Sequence, residues 1–173
     1  GDKAVFYDGD YGHVLLGRDG DVFSDWVYLE AAPGHEPVFK SIYLGSGAAQ
    51  GKPYPKVEHD IFLSFDGFTV RGERFDGVAI RGGNHVRIKN SFITMEGPIH
   101  GTATFSDDFE QIYIPSDYAN RRSGIGLTNA YDIQLVGNEI TETGYGIGAG
   151  EHVRSVLVKD NHIHDISHDF ISI

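Results

Sequence analysis

The densest group of reactive side chains is His162, His164, Asp165, His168 and Asp169. On an extended strand, residues two apart leave the same face, so His162 and His164 project outward and Ile163 inward. Two imidazoles so placed, with a carboxylate near, suit a divalent metal or acid/base catalysis. Asp165 and Asp169 also allow the paired carboxylates of a glycosidase, with Glu139 and Glu142 adding acidity. The plainer alternative is a polar turn. A second group lies in the stretch 97–123. There His100, Tyr113, Tyr118, Arg121 and Arg122 are candidate substrate-binding residues, because aromatic rings stack on sugars while arginines hydrogen-bond hydroxyl and acid groups. Phe105, Phe109 and Tyr113 could equally fold this loop onto its scaffold. A third group is Arg87 and Lys89, which alternate with Val86 and Ile88 and so both point outward. The stretch 45–60 adds Lys52, Tyr54, Lys56 and His59, with a flexible Gly/Ala start.

What must position these groups is a single domain of 173 residues, long enough to bury a core. Its formal charge is −11, and no basic cluster exceeds two adjacent residues, which excludes nucleic acid as a partner. No apolar run approaches the roughly 20 residues of a membrane helix, so no membrane partner is expected. With no cysteine, disulfides, thiolate metal sites and cysteine nucleophiles are excluded. This fits an exported protein. The start at Gly1, without a leader, is read as a mature or trimmed chain.

No window carries the apolar spacing of an amphipathic helix. Short alternating runs recur instead, among them Ile61-Phe62-Leu63-Ser64-Phe65, Val86-Arg87-Ile88, Ile133-Gln134-Leu135 and Val156-Leu157-Val158. They belong to a repeat. Gly77-Val78-Ala79-Ile80, Val86-Arg87-Ile88 and Asn90-Ser91-Phe92-Ile93 form one copy. Gly124-Ile125-Gly126-Leu127, Ile133-Gln134-Leu135 and Gly137-Asn138-Glu139-Ile140 form the next. Gly146-Ile147-Gly148-Ala149, Val156-Leu157-Val158 and Asp160-Asn161-His162-Ile163 form the third, and a fourth begins at Phe170. Gly124 and Gly146 are 22 residues apart, and Asn138 and Asn161 are 23 apart. Three short strands in such a period predict an all-β parallel β-helix, each strand pairing with its counterpart one coil away. Val86, Ile133 and Val156 should stack in one column, and Ile93, Ile140 and Ile163 in another. Ser91, Asn138 and Asn161 should form a hydrogen-bonded ladder at a turn and tolerate a left-handed backbone there. The domain 1–173 holds about six such coils, with insertions at about 45–60 and 97–123.

Gly1-Asp2-Lys3-Ala4-Val5-Phe6-Tyr7-Asp8-Gly9-Asp10-Tyr11, Val27-Tyr28-Leu29-Glu30-Ala31-Ala32-Pro33-Gly34-His35-Glu36-Pro37-Val38-Phe39 and Asn161-His162-Ile163-His164-Asp165-Ile166 resemble coil motifs of the pectate-lyase-like right-handed β-helix superfamily. The resemblance spans nearly the whole chain. It departs from the usual pattern in lacking a capping helix before the first coil and in ending inside a strand, so a fragment, or stacking between subunits, is expected. The resemblance implies a secreted, extracellular or cell-surface carbohydrate-active protein, most simply a lyase on a uronate-containing polysaccharide. A glycoside hydrolase and a non-catalytic adhesin, tailspike or filament-forming β-helix are the alternatives. In such lyases a Lys or Arg on a strand removes the proton beside the uronate carboxylate, which assigns that role to Lys89 with Arg87 as its neighbour. Calcium held by Asp or Glu often neutralises the carboxylate, and here Asp107, Asp108 and Glu110 would hold it. The implied partners are the polysaccharide and a second chain that completes or extends the β-helix.

Overall fold

The structure is a computed structural model. It describes residues 1–17, 23–45, 59–73, 76–96 and 123–172, together with the backbone of 104–105 and 112–113. The chain winds through six coils of three strands. The first coil is β1 (Lys3–Phe6), β2 (Gly9–Asp10) and β3 (His13–Leu16). The second is β4 (Val27–Ala31), β5 (Pro37–Phe39) and β6 (Ser41–Leu44), and the third is β7 (His59–Asp66), β8 (Thr69–Gly72) and β9 (Val78–Arg81). In the fourth, β10 (Gly83–Lys89) and β11 (Phe92–Met95) precede a small antiparallel pair, β12 (Thr104–Phe105) with β13 (Ile112–Tyr113), before β14 (Ser123–Thr128) closes the coil. The fifth is β15 (Tyr131–Val136), β16 (Glu139–Thr141) and β17 (Tyr145–Ala149), and the sixth is β18 (Arg154–Lys159), β19 (His162–His164) and β20 (Ile171–Ser172).

Corresponding strands form three six-stranded sheets: A (β1, β4, β7, β10, β15, β18), B (β2, β5, β8, β11, β16, β19) and C (β3, β6, β9, β14, β17, β20). All pairing within them is parallel, and the fold is a right-handed parallel β-helix. The predicted columns form. Val86 pairs with Ile133 and Ile133 with Val156, while Ile93 pairs with Ile140 and Ile140 with Ile163. Leu63, Val86, Ile133, Ile93 and Ile140 are fully buried. Each such side chain contributes about 1.5–3 kcal/mol. Nearer the first coil the interior is aromatic: Phe6, Phe39, Phe65 and Phe68 meet edge to face at 5.0–5.8 Å between ring centres.

The corner from sheet A to sheet B carries the expected ladder. The amide N–H of Ser91 donates to Asn138 Oδ1 at 3.1 Å, and that of Asn138 to Asn161 Oδ1 at 2.9 Å. Asn138 Nδ2 also donates to the Ile88 carbonyl at 2.9 Å, and Asn161 Nδ2 to the Leu135 carbonyl at 2.8 Å. One detail differs from expectation. The left-handed residue is the one before each rung of the ladder: Asn90 (φ 47°), Gly137 (φ 68°) and Asp160 (φ 55°). The chain turns there, which frees the next side chain to point inward along the axis. Most of the two insertions expected at about 45–60 and 97–123 lies outside the described residues; His59 and Asp60 belong to β7, and Ser123 begins β14.

Candidate functional site

Inward positions are committed to the core, so chemistry is left to the outward positions of each sheet. On sheet A these include one column of Tyr28, Ser64, Arg87, Gln134 and Leu157, and another of Glu30, Asp66, Lys89, Val136 and Lys159. Arg87 and Lys89 do face outward, as predicted, but neither is a loose surface charge. The Arg87 guanidinium lies over the Trp26 ring at 3.6 Å from its centroid, and its buried Nε has no hydrogen-bond partner. Lys89 Nζ is 3.1 Å from Asp66 Oδ2, so the amine expected as the base is engaged by a carboxylate.

A group that sequence reasoning missed lies beside them. It occupies the residue preceding each inward column position: Phe62 before Leu63, His85 before Val86, Asp132 before Ile133 and Ser155 before Val156. All adopt a left-handed backbone, with φ of 38°, 59°, 54° and 54°. In β10 the pairing register with β7 shifts between Asn84 and Val86, the mark of a β-bulge, and bulges re-aim side chains. A left-handed phenylalanine costs on the order of 1 kcal/mol or more, and such strain gathers where side chains must be aimed for a task.

The result is a contact chain running along the axis. Trp26 meets Phe62 edge-on at 5.8 Å, and Phe62 stacks on the His85 ring at 4.4 Å with the planes 1° apart. Tyr131 meets His85 edge-on at 5.9 Å, and the Arg154 guanidinium lies 5.0 Å from the Tyr131 ring centre. His85 is held on both sides: Nδ1 is 2.8 Å from Asp132 Oδ2 and Nε2 is 3.4 Å from Asp60 Oδ1. Asp60 accepts in turn from Asn84 Nδ2 at 3.1 Å, and Asn84 Oδ1 accepts the Tyr131 amide at 3.1 Å. The shorter contact fixes the ring at Nδ1, and the longer contact of Nε2 to Asp60 is the one a substrate would displace for proton transfer. The sequence did hold a signal: aligning the columns at Val86 and Ile133 places His85 and Asp132 on adjacent coils.

Sheet B carries the histidine cluster. His162 pairs with Glu139 across β16 and β19, Thr141 pairs with His164, and Ile163 faces in, as predicted. His164 Nδ1 is 2.8 Å from Asp165 Oδ2, and Nε2 is 3.2 Å from Glu139 Oε1. Those two carboxylates, Asp165 first, raise the His164 pKa. Asp165 and Asp169 each serve a neighbouring histidine, Asp169 accepting from His168 at 2.9 Å, and Glu142 accepts from Thr94 at 3.2 Å.

Sheet C offers a shallow groove beside the Asp76–Arg81 ion pair, at 3.1 Å. A Cβ on Gly126 would displace the Asp76 carboxylate. The remaining predicted residues, His100, Asp107, Asp108, Glu110, Tyr118, Arg121 and Arg122, lie outside the described residues, as does the Tyr113 side chain. No family model, no curated protein and no solved structure matches this chain, so its site is read from its own geometry.

Proposed function

We propose that this chain is a secreted, pectate-lyase-like carbohydrate-active protein that cleaves a uronate-containing polysaccharide by β-elimination on the outer face of sheet A. The observation that carries the reading is His85, held by Asp132 at 2.8 Å, on the same face as the cation of Arg87. Elimination removes the proton beside the uronate carboxylate, and the glycosidic oxygen leaves from the neighbouring carbon. It needs a proton acceptor of fixed tautomer and positive charge to stabilise the carboxylate as it gains enolate character. In this reading His85 takes the proton at Nε2, where substrate displaces the 3.4 Å contact to Asp60, and Asp132 orients the ring from Nδ1. Arg87, backed by Trp26, faces the carboxylate, while Lys89, paired with Asp66, supplies positive charge rather than the base.

The chain's charge of −11 works against a polyanion, while on the strands of sheet A Lys3, Arg87, Lys89, Arg154 and Lys159 stand against Glu30, Asp60, Asp66 and Asp132, close to balance. Local positive charge can steer a polymer that the net charge would repel. Calcium, expected at Asp107, Asp108 and Glu110, belongs in the assay for the same reason.

The test is a panel of polyuronates with and without calcium, followed by the ultraviolet absorbance of the unsaturated product. Absorbance that rises with wild type and is lost in His85→Ala supports elimination at this face. No rise with any polymer overturns the reading, and so would new reducing ends without the unsaturated chromophore, the sign of hydrolysis.

A second reading is self-association along the axis. It rests on two core-column residues that are exposed on the sixth coil, Val158 and Ile171, whose partners one coil back, Leu135 and Ile147, are buried. Sedimentation that shows only monomer at all concentrations would reject it.

A further inference from the structure

Sheet B places two imidazoles and a carboxylate on one outward patch, away from the residues argued to act on sheet A. β16 supplies Glu139, and β19, one coil on, supplies His162 and His164. One ligand atom from each of these residues lies within 4.8 Å of the others. The His162 and His164 rings are 4.4 Å apart with their planes tilted by 32°, and His164 Nε2 is already 3.2 Å from Glu139 Oε1. In a tetrahedral site with bonds of about 2.0–2.1 Å, neighbouring donors stand about 3.3–3.5 Å apart. One pair already meets that spacing, and the third donor reaches it by a side-chain adjustment at the surface.

The surroundings of His164 add a separate argument. Its Nδ1 lies 2.8 Å from Asp165 Oδ2, which leaves Nε2 as the nitrogen turned toward Glu139. A metal-binding histidine usually donates its other ring N–H to a carboxylate, which fixes the ring and strengthens the ligand. The neighbouring His168 shows the contrast: it is paired with Asp169 and is not part of the group.

We infer that Glu139, His162 and His164 form a zinc-type transition-metal site that bridges the fifth and sixth coils and keeps at least one coordination position open. The nitrogen donors decide the class of ion. Imidazole favours zinc, nickel, copper or cobalt, whereas calcium and magnesium take oxygen ligands. This site is therefore distinct in chemistry from the calcium site expected at Asp107, Asp108 and Glu110. Because its ligands come from two coils, bound metal ties β19 to β16 and stabilises the last coil.

The experiment is titration of the untagged full chain, freed of metal by chelation, with zinc alone at neutral pH. Calorimetry gives the affinity, and X-ray absorption at the zinc edge gives the ligands. The expected result is one equivalent bound with imidazole scattering, and a melting temperature that zinc raises. His162→Ala and His164→Ala should each weaken binding by about 100-fold or more, and Asp165→Asn by about 10–100-fold. His168→Ala should bind like wild type, and calcium in excess should not displace zinc. The site is overturned if zinc does not bind, if His162→Ala or His164→Ala binds like wild type, if His168→Ala weakens binding as much as His162→Ala, or if calcium competes. Melting of the metal-free variants separates loss of fold from loss of ligand. The polyuronate assay plays no part in this test, so either proposal can fail alone.

Discussion

Sheet A and its margin carry Trp26, Phe62, His85, Arg87 and Lys89, whereas sheet B and its margin carry Glu73, Glu96, Glu139, His162 and His164. Both sheets have six strands and parallel pairing, and both stack fully buried aliphatic columns against the same interior. Their backbones differ mainly at the bulge in sheet A, where Phe62, His85, Asp132 and Ser155 take left-handed φ. The comparison teaches that the repeat constrains the inner half of each strand and leaves the outer half free. A regular face can then place groups directly opposite each other, as Glu139 and His162 are. A bulged face can tilt a ring so that it stacks, as His85 does on Phe62.

The largest expected effect breaks the comparison on the sheet A side. His85→Ala should lower turnover of a cleaved polyuronate by about 10²–10⁴-fold, the range for loss of a general base. Arg71→Ala on sheet B, where the contact of Arg71 to Glu96 is 3.9 Å long, should leave turnover unchanged. Equal losses in the two variants would erase the distinction between the faces.

Next comes the corner that both faces share. Asn138 is fully buried, and its amide both donates and accepts along the axis, so Asn138→Ala should cost about 2–4 kcal/mol in chemical denaturation. A cost below about 0.5 kcal/mol would mean that the ladder is incidental to joining the sheets.

Trp26→Ala sharpens the account of sheet A, because it removes the ring under Arg87 and reaches His85 only through Phe62. A loss of about tenfold in kcat/KM, carried mainly by KM, is expected if Arg87 binds the carboxylate. Lys89→Ala should matter less. Its ion pair with Asp66 is partly exposed, and such pairs are worth up to about 1 kcal/mol. Abolished turnover in Lys89→Ala, with His85→Ala fully active, would return the base to Lys89.

The smallest effect concerns Asp8, at the first corner between the two sheets. The Glu36 amide, at 2.7 Å, and His35, at 3.0 Å, hold its pKa below the usual carboxylate value. A depressed value means that Asp8 stabilises the fold above the unfolded pKa of about 3.9 and loses that contribution as pH falls through the folded value. Asp8→Asn should therefore melt slightly below wild type at neutral pH, and the two should converge in strong acid. A gap that stays constant through that range would rule out the linkage.

Much of the fold was legible because its determinants are one-dimensional. The spacing of Val86, Ile133 and Val156 fixed a column, and the recurrence of Ser91, Asn138 and Asn161 fixed a ladder, since a parallel coil stacks like upon like. The outward direction of Arg87, Lys89, His162 and His164 followed from the strand period alone. The pairing of His85 with Asp132 did not, because a left-handed residue breaks that period, and the alternation then misreports where its side chain points.

By itself, then, the order of residues determined the coil, its three strands and which side chains are buried, because hydrophobic burial and parallel pairing repeat along the chain at a constant interval. Tertiary structure alone decided the partners of the outward groups: Arg87 on Trp26, Lys89 on Asp66, His85 between Asp60 and Asp132, and His164 between Glu139 and Asp165. Most of those contacts join adjacent coils more than 20 positions apart in the chain, and they depend on side-chain reach and local backbone tilt, neither of which the repeat encodes.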